Sequence, residues 1–275
     1  MSEGCRACVF LMIWAGVLTS AIMGYKPVII IHGISHPGTS VFIPAAYSYV
    51  KSMEPMWKQV AGFKDAISPI MESSKDGVHL ICFSQGGLIC RGLLATIPTH
   101  NVDTVIFLSS PIAGQYGGTS YFKRLPTLLT KTKLFEFCYS TTGQKVSVCN
   151  YWKDPHQETR YLKSSSFLAP LNGEVQNPNS QEWRDNFLRV QKVVLIGGQD
   201  DGVITPWQSS LFGFYDENEM VVDMENQNWY LNDAFGLKTL NMKGAVVKCV
   251  LPGIQHTSWH TDPFVYKQCI DKWLT

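Results

Sequence analysis

The sequence predicts an α/β domain in which helices cover both faces of a mainly parallel sheet. Short β-branched runs alternate with apolar stretches of helical period, and glycine or proline punctuates the junctions. The 275 residues, 45% hydrophobic and 16% charged, suffice for one such domain with a sizeable core. A formal net charge of +1, without any long Lys/Arg run, excludes the electrostatic footprint of a nucleic-acid-binding protein.

In chain order, residues 1–24 read as a secretory signal peptide: Arg6, an apolar run from Val9 to Leu18, then the small residues Thr19, Ser20, Ala21 and Gly24. The run is much shorter than the roughly 20 residues that span a bilayer, so no transmembrane anchor is expected in the mature chain, residues 25–275. Pro27 to Ile31 reads as a buried strand ending in a loop at His32-Gly33. Trp57, Val60, Phe63, Ile67, Ile70 and Met71 recur at helical spacing, and Gly77 separates that helix from a strand over Val78 to Phe83. Ser84-Gln85-Gly86-Gly87 makes a tight turn into a helix from Leu88 to Ile97, which Pro98 closes. Thr104 to Leu108 is again strand-like. From about 115 to 190 the alternation lapses into a stretch rich in aromatics, Lys, Thr and Pro, the pattern of a lid-like insertion. Val193 to Ile196 and Ala245 to Val250 restore it as strands, and a last helix is expected over Val265 to Trp273.

Of the eight cysteines, Cys5 and Cys8 fall in the signal segment, leaving Cys82, Cys90, Cys138, Cys149, Cys249 and Cys269. An even number entering an oxidising compartment suggests disulfides, with the connectivity open and buried free thiols as the alternative. The mature chain has no CxxC and no metal-ligand spacing, and no N-x-S/T sequon.

The chemistry concentrates at three turns. Cys82-Phe83-Ser84-Gln85-Gly86 has the strand–turn–helix context that presents a serine nucleophile above a sheet in the α/β-hydrolase fold, although Cys82 stands where G-x-S-x-G has its first glycine. Capping of the helix is the other use such a serine could have. A serine hydroxyl needs a base, and His256, after the last strand, suits the order serine, acid, histidine; His260 is its neighbouring competitor. The acid belongs on a loop between them at a strand's carboxyl end, where Asp201 is favoured over Asp200. The oxyanion donors would be the backbone amides of Gln85 and Ile34. No metal or organic cofactor is required. Leu88, Ile112 and Phe167 are candidates to line an acyl groove, with plain core packing the commoner use of such residues.

With these residues placed, the chain resembles the palmitoyl-protein thioesterases. The likeness runs from His32-Gly33 through the stretch from Gly77 to Gly87, Asn150-Tyr151-Trp152, Ser165-Ser166-Phe167-Leu168 and the stretch from Asp201 to Trp207, ending near Trp273-Leu274. It implies Ser84, Asp201 and His256 as a triad, the pairs Cys82–Cys90, Cys138–Cys149 and Cys249–Cys269, and hydrolysis of long-chain fatty acyl thioesters in the lysosome. One departure stands out, because the family has a helix and more chain after its first His-Gly loop. Here His32-Gly33-Ile34-Ser35 passes directly to His36-Pro37-Gly38-Thr39, fewer than the dozen or so residues that a parallel crossover needs. A spliced or truncated product, with a lost helix and a misplaced Ile34, is the expectation that follows. The rival activities are a carboxylesterase or lipase with the same triad, an impaired isoform that only binds lipid, and a misfolded isoform.

Overall fold

The computed structural model describes residues 25–34, 49–117 and 131–275. The signal segment 1–24, the stretch His36-Pro37-Gly38-Thr39 and part of the expected insertion, 118–130, lie outside the described residues. In chain order the described elements begin with β1 (Val28–Ile31), α1 (Tyr49–Ser52), α2 (Met56–Ser73), β2 (Val78–Phe83), α3 (Gln85–Thr96) and β3 (Val102–Leu108). Short helices follow: α4 (Lys131–Cys138), α5 (Ser147–Asn150), α6 (Glu158–Ser164), α7 (Leu168–Leu171) and α8 (Ser180–Phe187). After β4 (Lys192–Gly197) come a ribbon of β5 (Phe214–Tyr215) and β6 (Val221–Val222), α9 (Asn228–Leu231), α10 (Leu237–Met242), β7 (Val246–Val250) and α11 (Pro263–Val265).

Among the described residues five strands form one parallel sheet in the order β1-β2-β3-β4-β7. Because successive side chains alternate between faces, each central strand feeds two cores. Leu80, Cys82, Val105, Phe107, Val193 and Leu195 face one core together with Val60 and Phe63 of α2 and Leu88 and Leu93 of α3. Ile81, Ile106, Leu108, Val194 and Ile196 face the other, where the C-terminal segment supplies Ile254, Trp259, Val265, Cys269 and Ile270. Burial on both faces explains why β2, β3 and β4 read as almost unbroken apolar runs. The last helix is less regular than its sequence suggests: α11 passes into a π turn over Tyr266–Ile270 and a 3₁₀ turn over Asp271–Trp273.

Two expectations are corrected here. Among the described residues β1 lies at the edge of the sheet and is not fully buried: Ile29 and Ile31 point into the core while Val28 and Ile30 are 40% and 44% exposed. A run of β-branched residues does not reveal that only one face is covered. The short passage after Gly33 also does not break the crossover, since residues 32–77 join β1 to its parallel neighbour β2 and carry α2, which packs on the sheet. Ile34 remains packed against that same core.

Several residues of the stretch expected as a lid-like insertion belong to the core. Trp152, Tyr161, Phe167 and Leu168 are fully buried. Arg91 of α3 ties this stretch down, donating to the Ile112 carbonyl at 2.6 Å and Asn172 Oδ1 at 2.8 Å, with its guanidinium 4.6 Å from the Phe235 ring centroid. Burial lowers its pKa to about 9. Disulfides join Cys82 to Cys90, Cys138 to Cys149 and Cys249 to Cys269, closing separations of 8, 11 and 20 residues. No helix among the described residues is long and apolar enough to cross a membrane.

Candidate active site

A parallel sheet brings the carboxyl ends of its strands to one edge, where ligand sites of α/β folds gather. Ser84 directly follows β2, Asp201 lies four residues beyond β4, and His256 lies six beyond β7. Ser84 adopts φ 56° and ψ −130°, a backbone state that costs about 1–3 kcal/mol in a residue other than glycine. Its amide donates to the Leu108 carbonyl at 3.1 Å and its own carbonyl accepts from Gly87 at 3.0 Å, so the neighbouring strand and the helix start hold the turn.

Small residues are needed around that turn for steric reasons. A Cβ on Gly86 would lie 2.3 Å from the Ile31 carbonyl oxygen. One on Gly33 would lie 2.6 Å from Ser84 Cβ, 2.9 Å from its Oγ and 3.1 Å from the Gln85 amide nitrogen. The His-Gly loop after β1 therefore rests directly on the serine turn, and Ile34 is the next residue along it. That proximity is what two backbone donors sharing one oxygen require. The Gln85 side chain locks its own backbone: Nε2 donates to the Ser52 carbonyl at 2.8 Å, and Oε1 accepts from the Tyr151 hydroxyl at 3.2 Å. Burial pushes the Tyr151 phenol above its ordinary pKa, which keeps it a donor.

His256 is 3% exposed, with Nε2 2.9 Å from Ser84 Oγ and Nδ1 2.8 Å from Asp201 Oδ2. Asp201, also 3% exposed, is surrounded by donors. Its Oδ1 accepts from the amides of Val203 and Ile204 at 3.0 and 2.7 Å, and its Oδ2 also accepts from the Ser109 hydroxyl at 2.5 Å and Trp259 Nε1 at 2.8 Å. Burial alone would raise the pKa of this carboxyl; the hydrogen bond and charge of His256, with Ser109 and Ile204, outweigh burial and hold it below the usual carboxylate value. An ionised Asp201 facing Nδ1 calls for a proton there, which leaves Nε2 to accept from Ser84.

The two competitors take other tasks. Asp200 Oδ2 accepts from the Gly253 amide at 2.7 Å, fastening the loop that carries His256. His260 is exposed and sits 4.8 Å from the Phe83 ring, whose centroid is 5.0 Å from the His256 ring. Partial desolvation and the nearby His256 lower the pKa of His260. Leu88, Ile112 and Phe167 are all fully buried core residues, as apolar side chains near a turn most often are.

Sequence reasoning missed Ser109 and Trp259, both of which bond Asp201. The available signals were a polar Ser109-Ser110 pair ending a strand and an indole three residues past His256. It also missed Gln115, which bonds the Val203 carbonyl through Nε2 at 3.0 Å and the Thr205 amide through Oε1 at 3.1 Å. Its own amide donates to the Tyr151 carbonyl at 2.9 Å, so one residue connects the acid turn to the segment that fixes Gln85.

The arrangement can remove the Ser84 proton and deliver it to a leaving group, the chemistry of acyl transfer. The family model described as palmitoyl protein thioesterase matches residues 12–256. Lysosomal thioesterase PPT2 of Rattus norvegicus is 52% identical over 267 residues, covering 91% of this chain and 88% of that protein. The protein of the same name from Homo sapiens matches with the same identity and coverage. Lysosomal thioesterase PPT2 homolog of Drosophila melanogaster is 38% identical over 271 residues, covering 93% of this chain and 94% of that one. Among solved structures, the mature Bacillus licheniformis lipase BlEst2 aligns with a TM-score of 0.46 at 16% identity, over 91% of this chain and 93% of that one. The α/β assignment itself rests on the parallel sheet.

Proposed function

Since this chain belongs to the palmitoyl protein thioesterase family, we propose that it hydrolyses long-chain fatty acyl thioesters, such as palmitoyl-CoA or S-acylated thiols, through Ser84, His256 and Asp201. It is a thioester hydrolase of the serine type, and the lysosome named for its relatives is its compartment. The observation that carries the residue assignment is the unbroken pair of hydrogen bonds from Ser84 Oγ to His256 Nε2, at 2.9 Å, and from His256 Nδ1 to Asp201 Oδ2, at 2.8 Å.

In this reading Ser84 Oγ attacks the thioester carbonyl carbon as His256 Nε2 takes the hydroxyl proton. The tetrahedral oxyanion accepts from the amides of Gln85 and Ile34. Collapse breaks the C–S bond, and the thiol leaves with the proton from His256. A water molecule, activated by the same imidazole, then attacks the acyl-enzyme and releases the fatty acid and Ser84. Asp201 stays ionised throughout, stabilising the transient imidazolium. A thiol, with a pKa of about 8.5, leaves more readily than an aliphatic alcohol, so substrate choice turns on how the site accepts the acyl chain and the group beyond sulfur.

The test is steady-state hydrolysis of palmitoyl-CoA against ethyl palmitate, an ester of an aliphatic alcohol, with Ser84→Ala as the blank. A higher kcat/KM on the thioester, abolished in the variant, supports the proposal. Preference for the oxygen ester would point to a carboxylesterase or lipase instead, and binding without turnover would point to a lipid-binding isoform.

A further inference from the structure

We propose that Ser109 is a positioning residue that sets the Asp201 carboxylate and the His256 imidazole together; the inference rests on the triad reading above. Ser109 is fully buried, at the carboxyl end of β3, with φ 44° in the left-handed region that a non-glycine residue rarely occupies. Its amide donates to the Ile196 carbonyl of β4 at 2.7 Å, so the adjacent strand pins the unusual backbone. A strained polar residue inside a cluster of reacting groups is where local strain most often serves a purpose.

The hydroxyl lies between the acid and the base. Oγ is 2.5 Å from Asp201 Oδ2, to which it donates, and 3.3 Å from His256 Nδ1. A serine hydroxyl carries one proton, and that proton is directed at the carboxylate. Only a lone pair can then face Nδ1. Two acceptors, Asp201 Oδ2 and Ser109 Oγ, thus converge on the same ring nitrogen, which fixes its proton on Nδ1 and leaves Nε2 open toward Ser84. The other donors to Asp201 do not share this geometry: Trp259 Nε1 has no lone pair to offer, and the Val203 and Ile204 amides bond the opposite oxygen.

The experiment compares the kcat and KM of the parent with those of Ser109→Ala and Ser109→Gly on palmitoyl-CoA, with fluorophosphonate labelling of Ser84 as a second readout. Glycine removes the hydroxyl while favouring the observed φ, so it keeps the question open to test if the alanine variant does not fold. We expect kcat to fall roughly tenfold with KM little changed, and labelling to slow in step. A Ser109→Gly enzyme with parental kcat and parental labelling overturns the inference, because a hydroxyl that only packs would alter thermal stability alone. A His256→Ala variant separates the two levels: if it retains turnover, the triad reading itself falls, and the role of Ser109 with it.

Discussion

Replacing Gly33 by alanine adds one methyl group where the loop after β1 meets the serine turn. That carbon would sit 2.6 Å from Ser84 Cβ, about 0.8 Å short of the 3.4 Å at which ordinary contact begins, and 3.1 Å from the Gln85 amide. Gly33 is not at positive φ, so the backbone accepts alanine and the conflict is purely one of space. Either Ser84 rotates away from His256 Nε2 or the loop lifts and separates the Ile34 amide from that of Gln85. Losing one oxyanion donor removes about 2.7–4 kcal/mol of transition-state stabilisation, or roughly 10²–10³ in kcat. The overpacking costs about 1–3 kcal/mol of stability, and a domain of this size loses about 2–4 °C in Tm per kcal/mol. The assay is rapid-mix release of free thiol from palmitoyl-CoA, paired with a thermal melt. We expect a collapse of kcat, a KM close to that of the parent and a Tm lower by several degrees. A folded Gly33→Ala enzyme with kcat within about threefold of the parent would refute the reasoning, since it would show that the loop does not brace the site.

Three further outcomes follow from the same structure. Asp201→Asn should lower kcat on the order of 10⁴, because the amide no longer dictates a proton on Nδ1; steady-state turnover measures it. The Cys82→Ala/Cys90→Ala double variant opens an eight-residue separation, and should lose about 2.5 kcal/mol in urea unfolding at 25 °C. His100, 1% exposed with Nε2 2.8 Å from the Asn186 carbonyl, has its pKa lowered from 6.5 to about 4, first by burial. Its neutral form is the folded form, so this contribution is complete above the unfolded pKa and is lost as pH falls from 6.5 toward 4. Denaturant titrations at pH 7 and pH 5 should show the parent losing about 2 kcal/mol more than His100→Gln between them.

How far a sequence discloses its fold depends on whether the governing contact is local. The runs over Val78 to Phe83 and Val193 to Ile196 are legible because a doubly covered parallel strand has to be apolar throughout. α3 is harder: it starts at Gln85, three residues before Leu88, since Gly86 and Gly87 are poor helix formers kept there by the crowding at Ile31 and Ser110. The β5–β6 ribbon has strands of two residues, too short for any period to register. At the site, turn chemistry and chain order single out Ser84, Asp201 and His256 as candidates, with Asp200 and His260 as competitors. Ser109 does not, because its significance comes from β3 lying beside β4, a juxtaposition written in no neighbouring residue. Arg91 is silent for the same reason: its partners Ile112, Leu171 and Asn172 are brought to it by tertiary packing.

The central claim is that Ser84 is an activated nucleophile, and covalent labelling by a fluorophosphonate probe tests it most directly, with the modified residue mapped by mass spectrometry. The account predicts a single adduct on Ser84, formed in the parent, abolished in Ser84→Ala and strongly slowed in His256→Ala. A folded protein that takes no label at Ser84, or labels equally well without His256, would contradict it.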